Sequence, residues 1–294
     1  MDLNWLDDVL VLLEEGNMTR AAERRNITQP AFSRRIRSFE DWLGQPILDR
    51  RSNRVEISSS LTSNEAEIRA LVARIRDMRT NIANYDSDRM AVTIAAQHAP
   101  ICSSFPDMAL RARHAFPNLR IRLRAGNLDD CISIFLRGDA SMFLCYEAEG
   151  ARQLDFGAGV LRGKYGSDYL VPVVGGALRY SVKANGTVPA NTPAVVYPDD
   201  SYFGQVLRRG ERLFATASFT ENPVCVTAFS SGTLELVLKG IGIGWLPYSM
   251  AHREIAAGNL VSLANALGQE SLNVLLFADK ATPAAIELLE HWGK

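Results

Sequence analysis

Residues 18–50 read MTRAAERRNITQPAFSRRIRSFEDWLGQPILDR. Thr19 is placed to cap a short helix over TRAAERR, whose Ala21 and Ala22 allow another helix to pack closely. Asn26 and Ile27 then make a tight turn. Thr28 caps the next helix, with Pro30 in its first turn, where a missing N–H costs little. That helix is expected to run to about Leu43 and to stop at Gly44. Its apolar residues Ala31, Phe32, Ile36, Phe39 and Leu43 form one stripe, and Gln29, Ser33, Arg34 and Arg37 lie mostly opposite. Upstream, Leu3, Leu6, Val9, Leu10 and Leu13 have helical spacing, and Gly16-Asn17 end that helix. Three short helices with a tight turn between the second and third follow helix-turn-helix logic. A purely structural bundle would share the apolar stripe, but it has no reason to gather Gln, Ser and Arg on the exposed face. Downstream, RRSNRVEIS (residues 50–58) reads as a polar turn and a short strand, a wing.

Charge is concentrated in the same region. Residues 20–54 hold nine arginines against four acids, so a chain of net charge −1 carries +5 here and −6 elsewhere. The first lysine is Lys164. Arginine suits planar, bidentate contact with phosphates and guanine edges; on charge alone, a solvated helical face is the alternative. Arg24 and Arg25 read as solvated. With 294 residues, 47% of them hydrophobic, the chain is long enough for two domains and too apolar for wholesale disorder. Near-neutrality excludes a protein that coats nucleic acid through bulk charge. No run of 18 apolar residues suggests a membrane span, and Asp2, Asp7 and Asp8 stand where a signal peptide needs cations, so a cytosolic location is expected. The widely spaced Cys102, Cys131, Cys145 and Cys225 suggest neither a disulfide framework nor a zinc module.

Residues 61–85 carry a seven-residue repeat. Leu61, Ile68, Ile75 and Ile82 share one position, and Asn64, Leu71, Met78 and Tyr85 lie three residues later. This predicts a coiled-coil helix and a dimer, with Asn64 as a polar register-setter; a long helix packed on its own domain is the alternative. Residues 86–89 read as a hinge. From residue 91 the pattern is β-α-β-α-β: strand AVTIAA, a helix from Pro100 to near Phe116, strand LRIRLRA, helix 128–137 and strand SMFLCY. Strands near 169–174, 194–197 and 220–226 follow, with helix 201–214. Helix 231–239, strand IGIGWLP, strand 272–278 and helix 283–292 complete the chain. The expectation is an α/β region with a mainly parallel sheet, in two subdomains with a cleft between them.

TQPAFSRRIR, the paired alanines, Glu40 and Leu43-Gly44 resemble the N-terminal signature of LysR-type transcriptional regulators. KGIGIGWLP is similar to that family's Gly-rich strand, so the resemblance spans essentially the whole chain. SRRIRSFE, YPDDSYFG and GIGIGWLPYSMAHREIAAGNLVSL are most similar to the hypochlorite-responsive branch, although Phe203 stands where those relatives tend to carry Met. Ile47-Leu48 replaces the family's usual Leu-Phe before the wing, and LTSNEA lacks its usual linker Gly.

The resemblance implies a winged helix-turn-helix over residues 1–58, a coiled-coil linker and hinge over 59–88, and a periplasmic-binding-protein-like effector domain over 89–294. Its subdomain I would hold about 89–162 and 266–294, and subdomain II about 163–265. It implies a homodimer through residues 61–85, usually assembled into a tetramer, that bends promoter DNA, and RNA polymerase as a further partner of an activator. A small molecule in the cleft switches the assembly. Gln29, Ser33 and Arg34 match positions that face the major groove. Thr28 and Arg50 are expected at phosphates, with an intradomain ion pair the alternative for Arg50; Arg54 is placed to enter a minor groove from the wing.

The family's cleft would gather His98, Ile101 and Cys102, then Tyr146, then Ser201, Tyr202 and Phe203. Helix starts at Ala99–Cys102 and Ser201–Phe203 would favour a small anionic effector. A turn role for His98 and ordinary packing for Tyr202 and Phe203 are the alternatives. The rival account is oxidant sensing through Cys102, read as a thiol at a helix N-terminus. Enzyme motifs are missing: GIGIG lacks phosphate-loop spacing, the four histidines lack metal-ligand spacing, and no cofactor is implied.

Overall fold

Helix α1 (Leu3–Glu15) starts at Asp2, whose carboxylate accepts from the Asn4 N–H, and ends at Gly16 in the left-handed region. Helix α2 (Met18–Arg24) is capped by Asn17, which accepts from the N–H groups of Thr19 and Arg20. This corrects the expected cap at Thr19, which lies inside the helix: the Asn17 amide reaches two donors that have no intrahelical partner. Asn26 turns the chain at φ 54°, a region that Asn tolerates better than most residues. Helix α3 (Gln29–Leu43) follows Thr28 and stops at Gly44. Leu6, Val9, Leu12, Ala21, Ala22, Phe32, Ile36 and Phe39 form the core between the three helices. Strands β1 (Leu48–Asp49) and β2 (Glu56–Ile57) pair antiparallel as the stems of the wing. Glu40 anchors the first stem by accepting from the N–H groups of Ile47 (2.9 Å) and Leu48 (3.2 Å).

The structure, a computed structural model, describes residues 2–49, 56–83, 90–189, 191–209 and 223–293. Arg50, Arg54, Tyr85 and the hinge 86–89 lie outside the described residues, as do 210–214 of the expected helix and 220–222 of the expected strand.

The linker differs from the expected single helix. Asn64 ends helix α4 (Ser59–Ser63), with its Nδ2 donating to the Ser60 carbonyl at 2.8 Å, and helix α5 (Glu65–Ala83) starts afresh. Asn64 therefore closes a helix within the chain. Leu61, Ile68 and Val72 pack on the core of α1–α3. Arg69 pairs with Glu14 at 2.9 Å and Arg76 with Asp7 at 2.7 Å, holding α5 against α1. Leu71, Met78 and Ile82 are exposed, the last two at 55% and 69%. The heptad residues thus divide between two faces, because the helix-turn-helix core offers Leu61 and Ile68 an apolar surface within the same chain.

Residues 1–86 and 87–294 form separate compact units. In the second, β3 (Ala91–Gln97) lies between β4 (Arg120–Gly126) and β5 (Met142–Ala148), and is parallel to both. Helices α6 (His98–Cys102) and α7 (Phe105–Ala115) connect β3 to β4, and α8 (Leu128–Leu136) connects β4 to β5. The one helix expected from Pro100 to Phe116 is broken at Ser103-Ser104, because Pro106 has no N–H to continue the ladder. Strand β6 (Val160–Gly175) is antiparallel to β11 (Glu270–Asp279), which is antiparallel to β5. The sheet is therefore mixed rather than mainly parallel. After β5 no helix crosses over, and β6 returns through a loop.

The far end of β6 pairs with β9 (Gly244–Pro247) and β10 (Leu260–Ser262), carrying the chain into a second α/β half. That half holds the short parallel pair β7 (Val195–Val196) and β8 (Cys225–Val226), with helices α9 (Tyr202–Arg209), α10 (Ser230–Leu238) and α11 (Tyr248–Ala256). GIGIG packs tightly here: a Cβ on Gly242 would lie 2.7 Å from the Pro193 carbonyl oxygen. Helix α12 (Ala264–Leu267) precedes β11, and α13 (Pro283–Trp292) returns to the first half, where Leu288 and Trp292 are buried with Met108 and Leu276.

Candidate functional site

The outer face of α3 is the first candidate. Thr28 precedes the helix and makes no side-chain cap hydrogen bond, which leaves its hydroxyl at the surface. Thr28, Gln29, Arg34 and Arg37 are exposed, and Ser33 is half-buried beside them. Arg34 and Arg37 have no ion pair among the described residues. The other arginines nearby are committed. Arg20 pairs with Glu15, and Arg24 with Glu14 (2.6 Å) and Glu15 (2.9 Å). Arg25 and Arg35 both reach Asp8. Arg24 is solvated as expected, though it also pairs with acids on α1, whereas the reading of Arg25 as solvated is corrected: its guanidinium is only partly exposed and is held by the buried Asp8. The six described arginines of this region thus separate into paired ones, Arg20, Arg24, Arg25 and Arg35, and two on α3, Arg34 and Arg37, that have no ion pair among the described residues.

The second candidate is a cavity of about 30 Å³ in the effector unit. Gln97, His98, Ala99, Gly126, Asn127, Leu128 and Tyr146 line it from the first half, and Tyr197, Ser201, Tyr202, Phe203, Ala228 and Ser230 from the second. Of the residues expected from sequence, His98, Tyr146, Ser201, Tyr202 and Phe203 are brought together, while Ile101 and Cys102 lie outside the lining. His98 packs against the Phe229 ring at 4.8 Å. Phe203 sits among Tyr146, Tyr197 and Tyr202, at 5.3–5.8 Å between ring centroids. Ser201 caps α9: its hydroxyl donates to the Pro198 carbonyl and accepts from the Gly204 N–H. Tyr202 spans the two halves, since its hydroxyl accepts from the Ala148 N–H at 2.7 Å. Leu128, Tyr146 and Tyr202 also border a wider surface groove of about 670 Å³.

Sequence reasoning missed Gln97, Asn127, Tyr197 and Ser230. A usable signal was there. Gln97 ends β3, Asn127 follows β4 and Tyr197 follows β7, and ligands in open α/β sheets bind beyond the carboxyl ends of strands. Asp168 was missed as well. It is buried, and it accepts from the Tyr146 hydroxyl (2.7 Å), the Ser249 hydroxyl and the backbone N–H groups of Tyr169 (2.8 Å) and Ser249 (3.1 Å). Burial first, and the Asp168 charge second, hold the Tyr146 phenol well above its ordinary range. Tyr146 therefore works here as a neutral hydrogen-bonding group.

The structure corrects the reading of Cys102. It is exposed and is the last residue of the five-residue α6, so it does not stand at that helix's N-terminus as expected. The short α6 also weakens the expected anion site at its start, because Pro100 has no N–H to contribute. Burial pushes the Cys131 thiol up to about 12 and the Cys145 thiol well above its usual value. No group of three or more potential metal ligands occurs among the described residues.

Comparison with known proteins adds the following. Residues 3–63 match the family described as bacterial regulatory helix-turn-helix protein, lysR family, and residues 86–292 match the LysR substrate binding domain. The chain is 26% identical over 267 residues to the HTH-type transcriptional regulator YjiE of Escherichia coli K12, covering 90% of this chain and 84% of that protein. It resembles the crystal structure of Vibrio fischeri DarR in complex with DNA, described as a member of the LTTR family, at 23% identity and a TM-score of 0.61, covering 100% and 99% of the two chains. Full-length HypT from Salmonella, described as a hypochlorite-specific LysR-type transcriptional regulator, gives 23% identity, a TM-score of 0.61 and coverage of 98% and 97%.

Proposed function

The chain belongs to the LysR family of DNA-binding transcriptional regulators with a ligand-binding effector domain, and on that premise we propose how its two sites divide the work. The outer face of α3 reads operator bases through Gln29, Ser33 and Arg34. Gln pairs bidentately with adenine and Arg with guanine, each worth about 1–3 kcal/mol of discrimination. Thr28 and Arg37 contact phosphate, and Arg50 and Arg54 extend the interface from the wing. Two such helices are presented by a homodimer built on α5, and two dimers form the tetramer. The protein works in the cytoplasm, where promoter DNA is, and meets RNA polymerase there if it activates. The proposed boundaries are 1–58, 59–88 and 89–294, the last divided into 89–162 with 266–294, and 163–265.

The signal is a small anionic molecule bound between the halves of the effector unit. One observation carries this reading: the cavity is lined from both halves, and Tyr202 bridges them. The space of about 30 Å³ holds little more than water, whereas sites for organic ligands occupy roughly 300–1,000 Å³. An organic effector therefore selects a more open arrangement, and that difference in affinity between arrangements supplies the switching energy. His98, the amide of Gln97 and the hydroxyls of Tyr202 and Ser230 are the groups offered to it.

Thermal unfolding of the full chain against a panel of small carboxylates tests the reading. At 100 times Kd a ligand adds about 2.7 kcal/mol of stability, and Tyr202→Ala is expected to abolish that gain. If no carboxylate stabilises the chain and Cys102→Ser removes an oxidant response, the signal is redox rather than a ligand.

A further inference from the structure

A buried carboxylate holds the recognition helix from behind. Asp8 on α1 has no exposed surface; its Oδ1 accepts from Arg25 Nε at 2.6 Å, and its Oδ2 lies 2.6 Å from Arg35 Nε. Arg25 follows the last residue of α2, and Arg35 lies in the middle of α3. One side chain therefore ties α1 to both sides of the helix-turn-helix turn. Its sequence neighbour Asp7 is engaged elsewhere, with Arg76. Burial raises the Asp8 carboxyl, against the opposing pull of the Arg25 hydrogen bond and both guanidinium charges. The two guanidiniums are still 25% and 29% exposed, close enough to the surface to be drawn to phosphate if released.

We propose that Asp8 is a positioning residue for DNA reading: it sets α3 through Arg35 and the turn through Arg25, and it keeps both cations from serving as sequence-blind phosphate contacts. The inference rests on the reading of α3 as the base-reading helix. Phosphate attraction is driven by charge and carries no sequence information, and each neutralised phosphate adds a salt-dependence slope of about −0.9. A protein that must separate its operator from random DNA gains by limiting how many cations beside the base-reading helix are free to meet phosphate. Arg34 and Arg37 are free, and Arg25 and Arg35 are held.

Binding of the full-length protein to its gene's own upstream DNA and to a scrambled duplex, measured over a range of salt, tests this. Asp8→Asn is nearly isosteric. It is expected to lower the ratio of specific to random affinity about tenfold, to raise random-DNA affinity at low salt a few-fold, and to steepen the random-DNA salt slope by about one to two. A merely structural tie would weaken both affinities together; that result, or an unchanged ratio, overturns the proposal. A second arm does not depend on how Asp8→Asn folds. Arg37→Gln is expected to lower the slope by about one, and Arg25→Gln to leave it unchanged. Equal losses from the two would show that Arg25 already contacts phosphate and would also overturn the proposal. If the wild-type protein itself fails to separate the two duplexes, the reading of α3 is at fault, and the slopes on random DNA still decide the role of Asp8.

Discussion

The outer face of α3 and the effector cleft solve opposite problems with polar side chains. On α3 the working groups stay unspent: Arg34 and Arg37 have no ion pair among the described residues, and the Thr28 hydroxyl makes no cap bond. In the cleft region the polar groups are already spent on one another. Tyr202 accepts from Ala148, Tyr197 bonds Ser230 and the Trp245 carbonyl, and Tyr146 bonds Asp168 and Ser103. A rigid surface reader gains from unpaired donors because water satisfies them until DNA arrives. A buried cleft cannot leave them unpaired, since each such group costs about 1–3 kcal/mol. A ligand entering it must therefore exchange hydrogen bonds rather than add them. Two of the three buried carboxylates among the described residues differ in the same way, while the third, Glu147, pairs with Arg162. Asp8 is balanced by two cations, Asp168 by neutral donors alone.

The strongest way to break this contrast is Asp168→Ala. It removes the acceptor of the Tyr146 and Ser249 hydroxyls and of two backbone N–H groups, leaving Tyr146 only its Ser103 and Ser249 contacts, and is expected to cost the effector unit about 3–5 kcal/mol in urea unfolding. A loss below about 1 kcal/mol would mean that water reaches the network, as it reaches α3. Next in size is Met78→Asp on the exposed stripe of α5. If that stripe is the dimer seam, the charge costs several kcal/mol of association and the protein sediments as a monomer; sedimentation unchanged from wild type moves the seam elsewhere. Arg34→Ala is expected to lose about 1–3 kcal/mol on operator DNA and much less on random DNA, and equal losses would reclassify Arg34 as a phosphate contact.

Smaller still is Tyr202→Phe, which removes a single acceptor and is expected to lower effector-unit stability by about 0.5–1.5 kcal/mol. No change would show that this link between the halves does not hold the cleft closed. Smallest of all, Cys102→Ser is expected to leave stability and ligand response unchanged. A thiol-selective reagent should label the exposed Cys102 well before Cys131 and Cys145, whose buried thiols resist ionisation. Labelling of Cys131 first would show that the core around it opens.

The helix-turn-helix was legible at the level of single residues because its signals are local. The Phe32-Ile36-Phe39 stripe, Gly44 and the turn at Asn26 each act within a few positions along the chain, and α3 begins and ends where they place it. Helix 283–292 was equally plain, with Pro283 at its start. The cap at Asn17 went unread because Thr19, two residues later, offers the same chemistry to a one-dimensional reading. In the effector unit the strands were visible as apolar runs, but their order was not. Whether β11 inserts between β5 and β6 is decided by pairing across more than a hundred residues, and nothing in a single strand's alternation encodes its neighbour.

The amino-acid sequence alone determined which helix carries the free polar face, where the chain's positive charge gathers and that an α/β region follows. Helical periodicity, caps and composition are properties of short segments. Only the tertiary structure decided which arginines are spent and which remain free, that Asp8 joins Arg25 and Arg35, and that Asp168 serves the cleft. Those assignments depend on which side chains meet after the helices and strands pack, and Coulomb attraction and hydrogen bonding act through space over a few ångströms, regardless of separation along the chain.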